Sequence, residues 1–331
     1  MKVLVTGANG FTGSYLVRSL LNRGDRVIAY VRRSSDLTRL QGLNNQGVSN
    51  LDYAYGEITD EVALTQTMQG VDLVFHIAAY VELGLVDAAK MERTNVQGTQ
   101  AVLQAMRSAG VPKMLYCSTI GIFGDTQGRT IDETFQREQQ DFSSAYDRTK
   151  YQAQQLVDQA VQQGTHIVSV MPSGIFGVDD PHFGPVLKTF AKGKLKLWAG
   201  GQRVTGIVHV EDLVDGMLRA IDQGQAGDYF ILSAGDLTTR EMFELCGQEI
   251  GVPTPREAPE WLVRGVAKVL NVIGQLTGWQ PPIDNERVHY VYDRCVRVSG
   301  AKAMRELGWN PRSPQQTLTE IIRQLGSETA S

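Results

Sequence analysis

The chain has 331 residues, 42% of them hydrophobic and 21% charged, a balance that supplies a sizeable core for one large domain or two joined ones. A formal net charge of −4 at pH 7 excludes an overall basic field, and with it the usual basis for bulk binding to nucleic acid or acidic membranes. Three scattered cysteines, Cys117, Cys246 and Cys295, form no C-x-x-C pair, which points to thiols in a reducing, cytoplasmic compartment and away from a disulfide framework.

The first apolar run, Val3 to Val5, is too short for a secretory leader and enters a turn at Gly7. Strands are expected at Lys2 to Val5, Arg26 to Val31, Leu51 to Tyr55, Leu73 to Ile77, Lys113 to Cys117 and His166 to Val170. Helical stretches separate them, which is the alternation of βαβ units and of a parallel sheet covered on both faces. Met91 to Ala109 and Ala145 to Val161 read as long amphipathic helices, each ending near a glycine (Gly110, Gly164) suited to a left-handed cap. Either helix is long enough to supply a homodimer face, although its apolar stripe also has a sheet to cover.

After Pro172, glycine and proline cluster between Gly174 and Gly206, and a smaller substrate-facing part is expected to begin. Gly206 to Ile231 again reads strand, helix (Glu211 to Ile221), strand (Tyr229 to Ile231), so the chain is expected to return to the main sheet. Final helices are expected at Thr239 to Ile250, Trp261 to Leu276, Gly300 to Leu307 and Gln315 to Leu325. The division is therefore a nucleotide domain over 1–172 with a return segment at 206–232, and a discontinuous substrate part over 173–205 and 233–326. The apolar stretch Trp261 to Trp279 is broken by Arg264, Lys268, Asn271 and Gln275, so it reads as a helix packed on the body and not as a membrane span. Ser327 to Ser331 reads as a frayed terminus.

Directly after the first strand stands Thr6-Gly7-Ala8-Asn9-Gly10-Phe11-Thr12-Gly13, followed by the helical Ser14 to Leu21. A turn lacking Cβ atoms lets the backbone approach a pyrophosphate, and the helix behind it offers unpaired N–H groups and a positive dipole end. At the end of strand 2 an NAD protein usually offers a carboxylate to the ribose hydroxyls. Here the run is Ala29-Tyr30-Val31-Arg32-Arg33-Ser34-Ser35, without an acid. Arg32 and Arg33, with Arg39 as a third, can instead neutralise a 2′-phosphate, which favours NADP over NAD.

Tyr146 and Lys150 stand four apart at the start of a helix and so share a face. That spacing alone is common on solvated helices. It gains weight from the glycine turn upstream and from Cys117-Ser118-Thr119, which puts hydroxyls at the carboxyl edge of a strand. With His76-Ile77-Ala78-Ala79, Asn95-Val96-Gln97-Gly98-Thr99, Ser118 to Gly124, Pro172 to Gly177 and Val208 to Asp212, the chain resembles the extended short-chain dehydrogenases, the NAD-dependent epimerase/dehydratase family, from Met1 to about Leu325.

The resemblance implies an α/β Rossmann fold, a doubly wound parallel sheet. It implies Thr119, Tyr146 and Lys150 as the catalytic set, with Ser118 a lesser candidate for the hydroxyl and Asn95 supporting the lysine through water. Dinucleotide contacts are implied at Gly7, Asn9, Gly10, Phe11, Thr12, Gly13, Glu57, Ile58, Ala78, Ala79, Tyr146, Lys150, Pro172, Gly174 and Ile175. Glu57 stands where the family usually has an aspartate beside the adenine. In this chemistry Tyr146 donates a proton to the carbonyl oxygen, and the Lys150 ammonium is expected to lower the phenol's pKa.

Sugar-nucleotide members commonly carry an arginine four residues before the position of His209, whereas this chain has Thr205 there and Arg203 two residues off. They also often carry asparagine where Ser173 stands. The acid that dehydratases need beside the catalytic hydroxyl is missing from Thr119-Ile120-Gly121. These departures favour reduction of an aldehyde or ketone, similar to the dihydroflavonol reductase and aldehyde reductase branch. A likeness to hopanoid-associated sugar epimerases, at Met91 to Asn95 and Val208 to Asp212, keeps a nucleotide-sugar epimerase open. A nucleotide-binding regulatory or assembly protein without chemistry is a third reading. Tyr80 to Leu85, Phe123, Phe176 and Phe183 are expected as walls of an apolar substrate pocket. The five histidines show no metal-ligand spacing, and Glu211 and Asp212 are expected to cap a helix.

Overall fold

Val3, Leu4 and Val5 are wholly buried in the first strand, since a strand inside a parallel sheet has helices over both faces and needs apolar side chains on both. The computed structural model describes residues 1–43 and 50–330, the side chains of 328–330 excepted. The nucleotide-side elements are β1 (Lys2–Thr6), α1 (Phe11–Asn22), β2 (Arg26–Val31), β3 (Leu51–Tyr55), α2 (Glu61–Thr67), β4 (Leu73–His76), α3 (Ala88–Glu92), α4 (Gly98–Ala109), β5 (Lys113–Cys117), β6 (Thr130–Ile131), α5 (Ala145–Gln162) and β7 (His166–Pro172). The remainder comprises β8 (Gly174–Phe176), α6 (Gly184–Ala191), β9 (Leu197–Trp198), β10 (Val204–His209), α7 (Val210–Gln223), β11 (Tyr229–Leu232), β12 (Asp236–Thr238), α8 (Thr239–Ile250), β13 (Arg256–Glu257), α9 (Glu260–Thr277), α10 (Asn285–Tyr292), β14 (Arg297–Val298), α11 (Ala301–Leu307) and α12 (Pro314–Ala330).

Seven parallel strands form the main sheet in the order β11-β7-β5-β4-β1-β2-β3, the doubly wound Rossmann arrangement expected from the sequence. The order reverses between β1 and β4, and such a switch point opens a crevice at the carboxyl ends of the strands. One apolar layer, including Leu16, Val17, Leu20, Leu213 and Met217, lies under α1 and α7. The other, including Leu64, Val102, Met106, Ala153 and Val157, lies under α2, α4 and α5.

Four expectations change. The stretch Met91 to Ala109 is not one α-helix, because a π-helical turn, Arg93–Gln97, separates α3 from α4. Of the return segment only α7 and β11 join the main layers. β10 pairs with β8 and β12 in a separate three-stranded sheet, where Gly174 lets its backbone approach the Gly206 carbonyl; a Cβ on Gly174 would stand 2.8 Å from that oxygen. Helix α9 buries only Val263, Ala267 and Gly274, and its apolar stripe is wider than its contact with the body: Trp261 is 74% and Leu276 82% exposed. The expected frayed end is helical through Ala330, and Ser331 lies outside the described residues. No described helix is long and apolar enough to cross a membrane.

Trp309 ties the late segment to the main core. It is fully buried, its Nε1 donates to the Asp212 carbonyl at 2.8 Å, and Gly216 and Gly300 leave room for its ring. Trp309→Ala is expected to lower the unfolding free energy by about 3–5 kcal/mol through cavity formation and an unpaired carbonyl, read as a shifted midpoint in urea unfolding.

Candidate active site

The glycine turn between β1 and α1 is shaped by what its glycines approach. Gly7 has φ +70°, and a Cβ there would stand 2.8 Å from the Ala78 nitrogen. A Cβ on Gly13 would overlap the Gly7 carbonyl oxygen. No side chain caps α1 at Gly10, so the first-turn donors face the crevice and suit an anion. Asn9 Nδ2 donates to the Asp36 carbonyl at 3.2 Å, and Phe11 packs edge-on to Tyr15 while half-buried Thr12 follows it.

At the end of β2, Arg32 and Arg33 are exposed and form no ion pair among the described residues; Arg33 lies over the Tyr55 ring at 5.8 Å. Arg39 is less free, since it donates to the Asp179 carbonyl at 2.8 Å and lies 5.6 Å from the Phe11 ring centroid. Exposed Glu57 offers its carbonyl to the Tyr30 hydroxyl at 3.2 Å, and Ile58 packs where a Gly98 side chain would otherwise stand. Ala78 and Ala79 follow β4, while Pro172, Gly174 and Ile175 run from β7 into β8. These groups line the carboxyl edge of the sheet, and the Cβ-free cradle fits a dinucleotide.

A buried hydrogen-bond chain underlies the cradle. The Ala78 N–H donates to Thr6 Oγ1 (3.3 Å), Thr6 Oγ1 meets His76 Nδ1 (2.7 Å), His76 Nε2 meets Thr99 Oγ1 (3.0 Å), and Thr99 donates to the Asn95 carbonyl (2.7 Å). With Thr99 donating onward, the chain is consistent with a neutral His76 that carries its proton on Nε2. Burial first, then the charge of Lys150, pushes its pKa down to about 3.

Ser144 caps α5 by accepting from the Asp147 N–H, and the first two turns carry Tyr146 and Lys150. Lys150 is buried and donates at 2.8 Å to both the Tyr116 hydroxyl and the Cys117 carbonyl. Desolvation brings its pKa down to about 8. Thr119 lies beside Tyr146, and its Oγ1 accepts the Gly121 N–H at 3.1 Å. Tyr146 titrates above the ordinary phenol range, chiefly because it is buried and then because of Cys117 and Asp147; Thr119 is the neighbour that opposes the rise. The expected lowering by Lys150 does not prevail, because the amine is directed at Tyr116 and the Cys117 carbonyl.

The chain matches the NAD dependent epimerase/dehydratase family over residues 3–232. It belongs to that family. It is 31% identical, across 98% of its length and 97% of the relative's, to the 4-hydroxy-2-methyl-3-oxo-4-farnesyl-3,4-dihydroquinoline-1-oxide ketoreductase of Stigmatella aurantiaca. It is also 31% identical to a putative dihydroflavonol 4-reductase of Synechocystis, over 96% of this chain and 92% of that one. Among solved structures, the crystal structure of gox2253 superposes with a TM-score of 0.81 at 29% identity, covering 98% of each chain. The chain is thus an oxidoreductase of the extended short-chain dehydrogenase type.

Other residues fall differently in this family member than the sequence suggested. Asn95 directs its side chain at the Tyr80 backbone, accepting its N–H at 2.7 Å and donating to its carbonyl at 3.1 Å, and also donates to Thr149 Oγ1 at 3.0 Å. It fixes the loop after β4 to α5. Phe123 is buried against Phe135, and Phe176 against the partly buried Phe183, so core packing accounts for all three phenylalanines that were expected in the pocket wall. Tyr80 follows β4 with its backbone on Asn95, its hydroxyl held by Glu82 and its ring by Lys90. His209, not Glu211 or Asp212, caps α7; the two acids hold Arg312. His209, Glu211 and Glu320 come close enough to suggest a metal site, yet Arg312 contacts all three.

Sequence reasoning missed the buried pair of Arg294 with Asp147, and Tyr290 beside it. Only the charged residue following Tyr146 gave a signal. Neutral His76 yields a test. In the unfolded chain an ordinary histidine takes up a proton near pH 6.5, whereas the folded one waits until about pH 3. Its contribution is therefore complete above pH 6.5 and falls as the pH drops through the window down to 3. By pH 4.5 the loss is about 3 kcal/mol. Urea unfolding between pH 7 and 4.5 should show this decline, and His76→Gln should flatten it.

Proposed function

We propose that the chain is an NADP-dependent reductase of an aldehyde or ketone on a largely apolar molecule, with Tyr146 as proton donor. The observation that carries this reading is the convergence of Thr119, Tyr146 and Lys150 beside a dinucleotide cradle whose β2 end presents Arg32 and Arg33 in place of an acid. The ketoreductase and dihydroflavonol reductase relatives support the direction, since each is named for a carbonyl reduction. Free thiols at Cys117, Cys246 and Cys295 agree with a reducing compartment, and the helices bearing Asn95 and Tyr146 are the faces on which a homodimer would form.

Gly7, Gly10 and Gly13 would admit the pyrophosphate, Arg32 and Arg33 the 2′-phosphate, and Lys150 the nicotinamide ribose. When bound, the nicotinamide supplies the hydride. Burial keeps Tyr146 protonated, so a proton is ready when negative charge develops on the substrate oxygen. Thr119, beside Tyr146, gives that oxygen a second donor. Lys150, with its pKa near 8, keeps its charge at neutral pH and with it its hold on the ribose.

Consumption of NADPH with aldehydes or ketones, and not with nucleotide sugars, is the expected result. Epimerisation of a nucleotide sugar without net NADPH loss would overturn the reading. Tyr146→Phe should lower kcat by about 10²–10⁴-fold with cofactor binding retained, and kcat/KM for reduction should fall above about pH 8 as Lys150 loses its proton. Arg32→Asp should reverse the ratio of NADPH to NADH affinities measured by calorimetry.

A further inference from the structure

Tyr290, on α10, carries two guanidinium groups against its ring: Arg203 at 4.7 Å and Arg294 at 4.4 Å from the centroid. Arg294 Nη2 lies 3.1 Å from Asp147 Oδ2, with side chains only 6% and 1% exposed. Even so, Nε and Nη2 of Arg294 have no hydrogen bond of good geometry, and neither do the two Asp147 oxygens. The Arg203 side chain makes no hydrogen bond and no ion pair among the described residues; only its backbone is used, the N–H donating to the Gly200 carbonyl at 3.0 Å and the carbonyl accepting the Thr239 N–H at 3.0 Å and its hydroxyl at 3.3 Å. Arg294 therefore has the buried Asp147 carboxylate beside it and the charge of Asp125 nearby, whereas Arg203 faces only Tyr290 and Arg294 and its positive charge has no carboxylate partner among the described residues. Burial and the neighbouring Arg294 push Arg203 below the usual arginine range.

The cluster adjoins the reacting groups. A Cβ on Gly121 would overlap Asp147 Oδ1 and come within 3.3 Å of Arg294 Nη2, and Gly121 is bonded to Thr119. Tyr290 is near enough for its charge to raise the pKa of Tyr146. Asp147 itself follows Tyr146 in the first turn of α5. An unpaired guanidinium stacked on an aromatic ring beside a proton donor is costly to fold around, and an arriving oxyanion removes that cost through charge-assisted, bidentate hydrogen bonds.

We propose that Arg203 and Arg294, stacked on Tyr290, form the subsite for an anionic oxygen group, a carboxylate or a phosphate ester, carried by the substrate in addition to its reacting carbonyl. This rests on the reductase reading and narrows it to an amphiphilic substrate, with an apolar body and one acidic group. Asp147 holds Arg294 in place, and the free donors of Arg203 take the larger share of the anion. The sugar-nucleotide members' arginine position is occupied by Thr205 here, so the subsite is built from different residues.

The test compares ketones matched in all but charge: a keto acid, its methyl ester, and the phosphate ester of the corresponding keto alcohol. At least one anionic ketone should show kcat/KM about tenfold or more above the neutral ester, and the better of the two identifies the source of the anion. Arg203→Gln should shrink that preference about tenfold, whereas Arg203→Lys, which keeps the charge, should restore part of it. Circular dichroism and the melting temperature establish that each variant is folded. Equal turnover of acid, phosphate and ester by the native chain would overturn the inference while leaving the reductase reading intact, as would an unchanged preference in folded Arg203→Gln. Failure to reduce any of the ketones would count against the reductase reading itself. Calorimetric binding of the saturated carboxylate and phosphate analogues to the native chain and to Arg203→Gln then decides the subsite separately: binding lost in the variant supports it, and no binding to the native chain overturns it.

Discussion

The hydroxyl of Thr99 is where the two halves of the chemistry are fastened together. It receives His76 Nε2 and donates to the Asn95 carbonyl, and it lies beside Tyr116, which in turn accepts from Lys150. Through His76 it reaches Thr6 and Ala78, and so the turn that a pyrophosphate would approach. A hydroxyl has one proton to give and two lone pairs, and here the proton and one lone pair are used. Buried polar networks penalise any member that is removed.

The π-helical turn Arg93–Gln97 is part of the same constraint. A regular helix through this stretch would advance its side chains by the ordinary 3.6-residue period, whereas one wide turn changes the phase between α3 and α4. The change lets Asn95 reach Tyr80 and Thr149 while its own carbonyl serves Thr99. The loop after β4 is thereby tied to the helix that carries Tyr146 and Lys150. Its far end is tied elsewhere: Gly84 and Leu85 donate to Glu286 and Asp284 at 3.0 and 3.1 Å. Gly84, at φ +94°, has no room for a side chain beside Asp284.

Elements with a local signature were legible in the sequence. Continuous apolar runs marked the parallel strands to within a few residues, and the glycine turn, Thr119, Tyr146 and Lys150 all sit in short motifs whose spacing reports their geometry. The π turn was not legible, because its residues fit a helical pattern and only the demands of Tyr80 and Thr149 select the wider turn. Phe123 and Phe176 were misplaced for a related reason, since an aromatic side chain looks the same in a sequence whether it lines a pocket or fills a core. Arg203, Tyr290 and Arg294 carry no motif at all; they meet only because α10 and the residues after it come back against Asp147 and Gly121. The Lys150 effect on Tyr146 was expected from proximity, but direction decides it, and the amine is turned to Tyr116.

This division has a physical cause. The cofactor side is built from consecutive βαβ units, so each contact lies within a few residues of a strand end and the topology positions it automatically. The substrate side is assembled from segments far apart in the chain, around the loop after β4, the Arg203 turn and α10, and it is held by side-chain hydrogen bonds instead of a sheet. Carboxylates at the start of α10 bind the same backbone loop that Asn95 fixes to α5, so the two ends of that loop tie α10 to the helix that bears Tyr146. On the proposed reading, a scaffold of this kind would alter its substrate by replacing charges around Tyr290, while α5 and the residues packed on it keep Tyr146 and Lys150 in register.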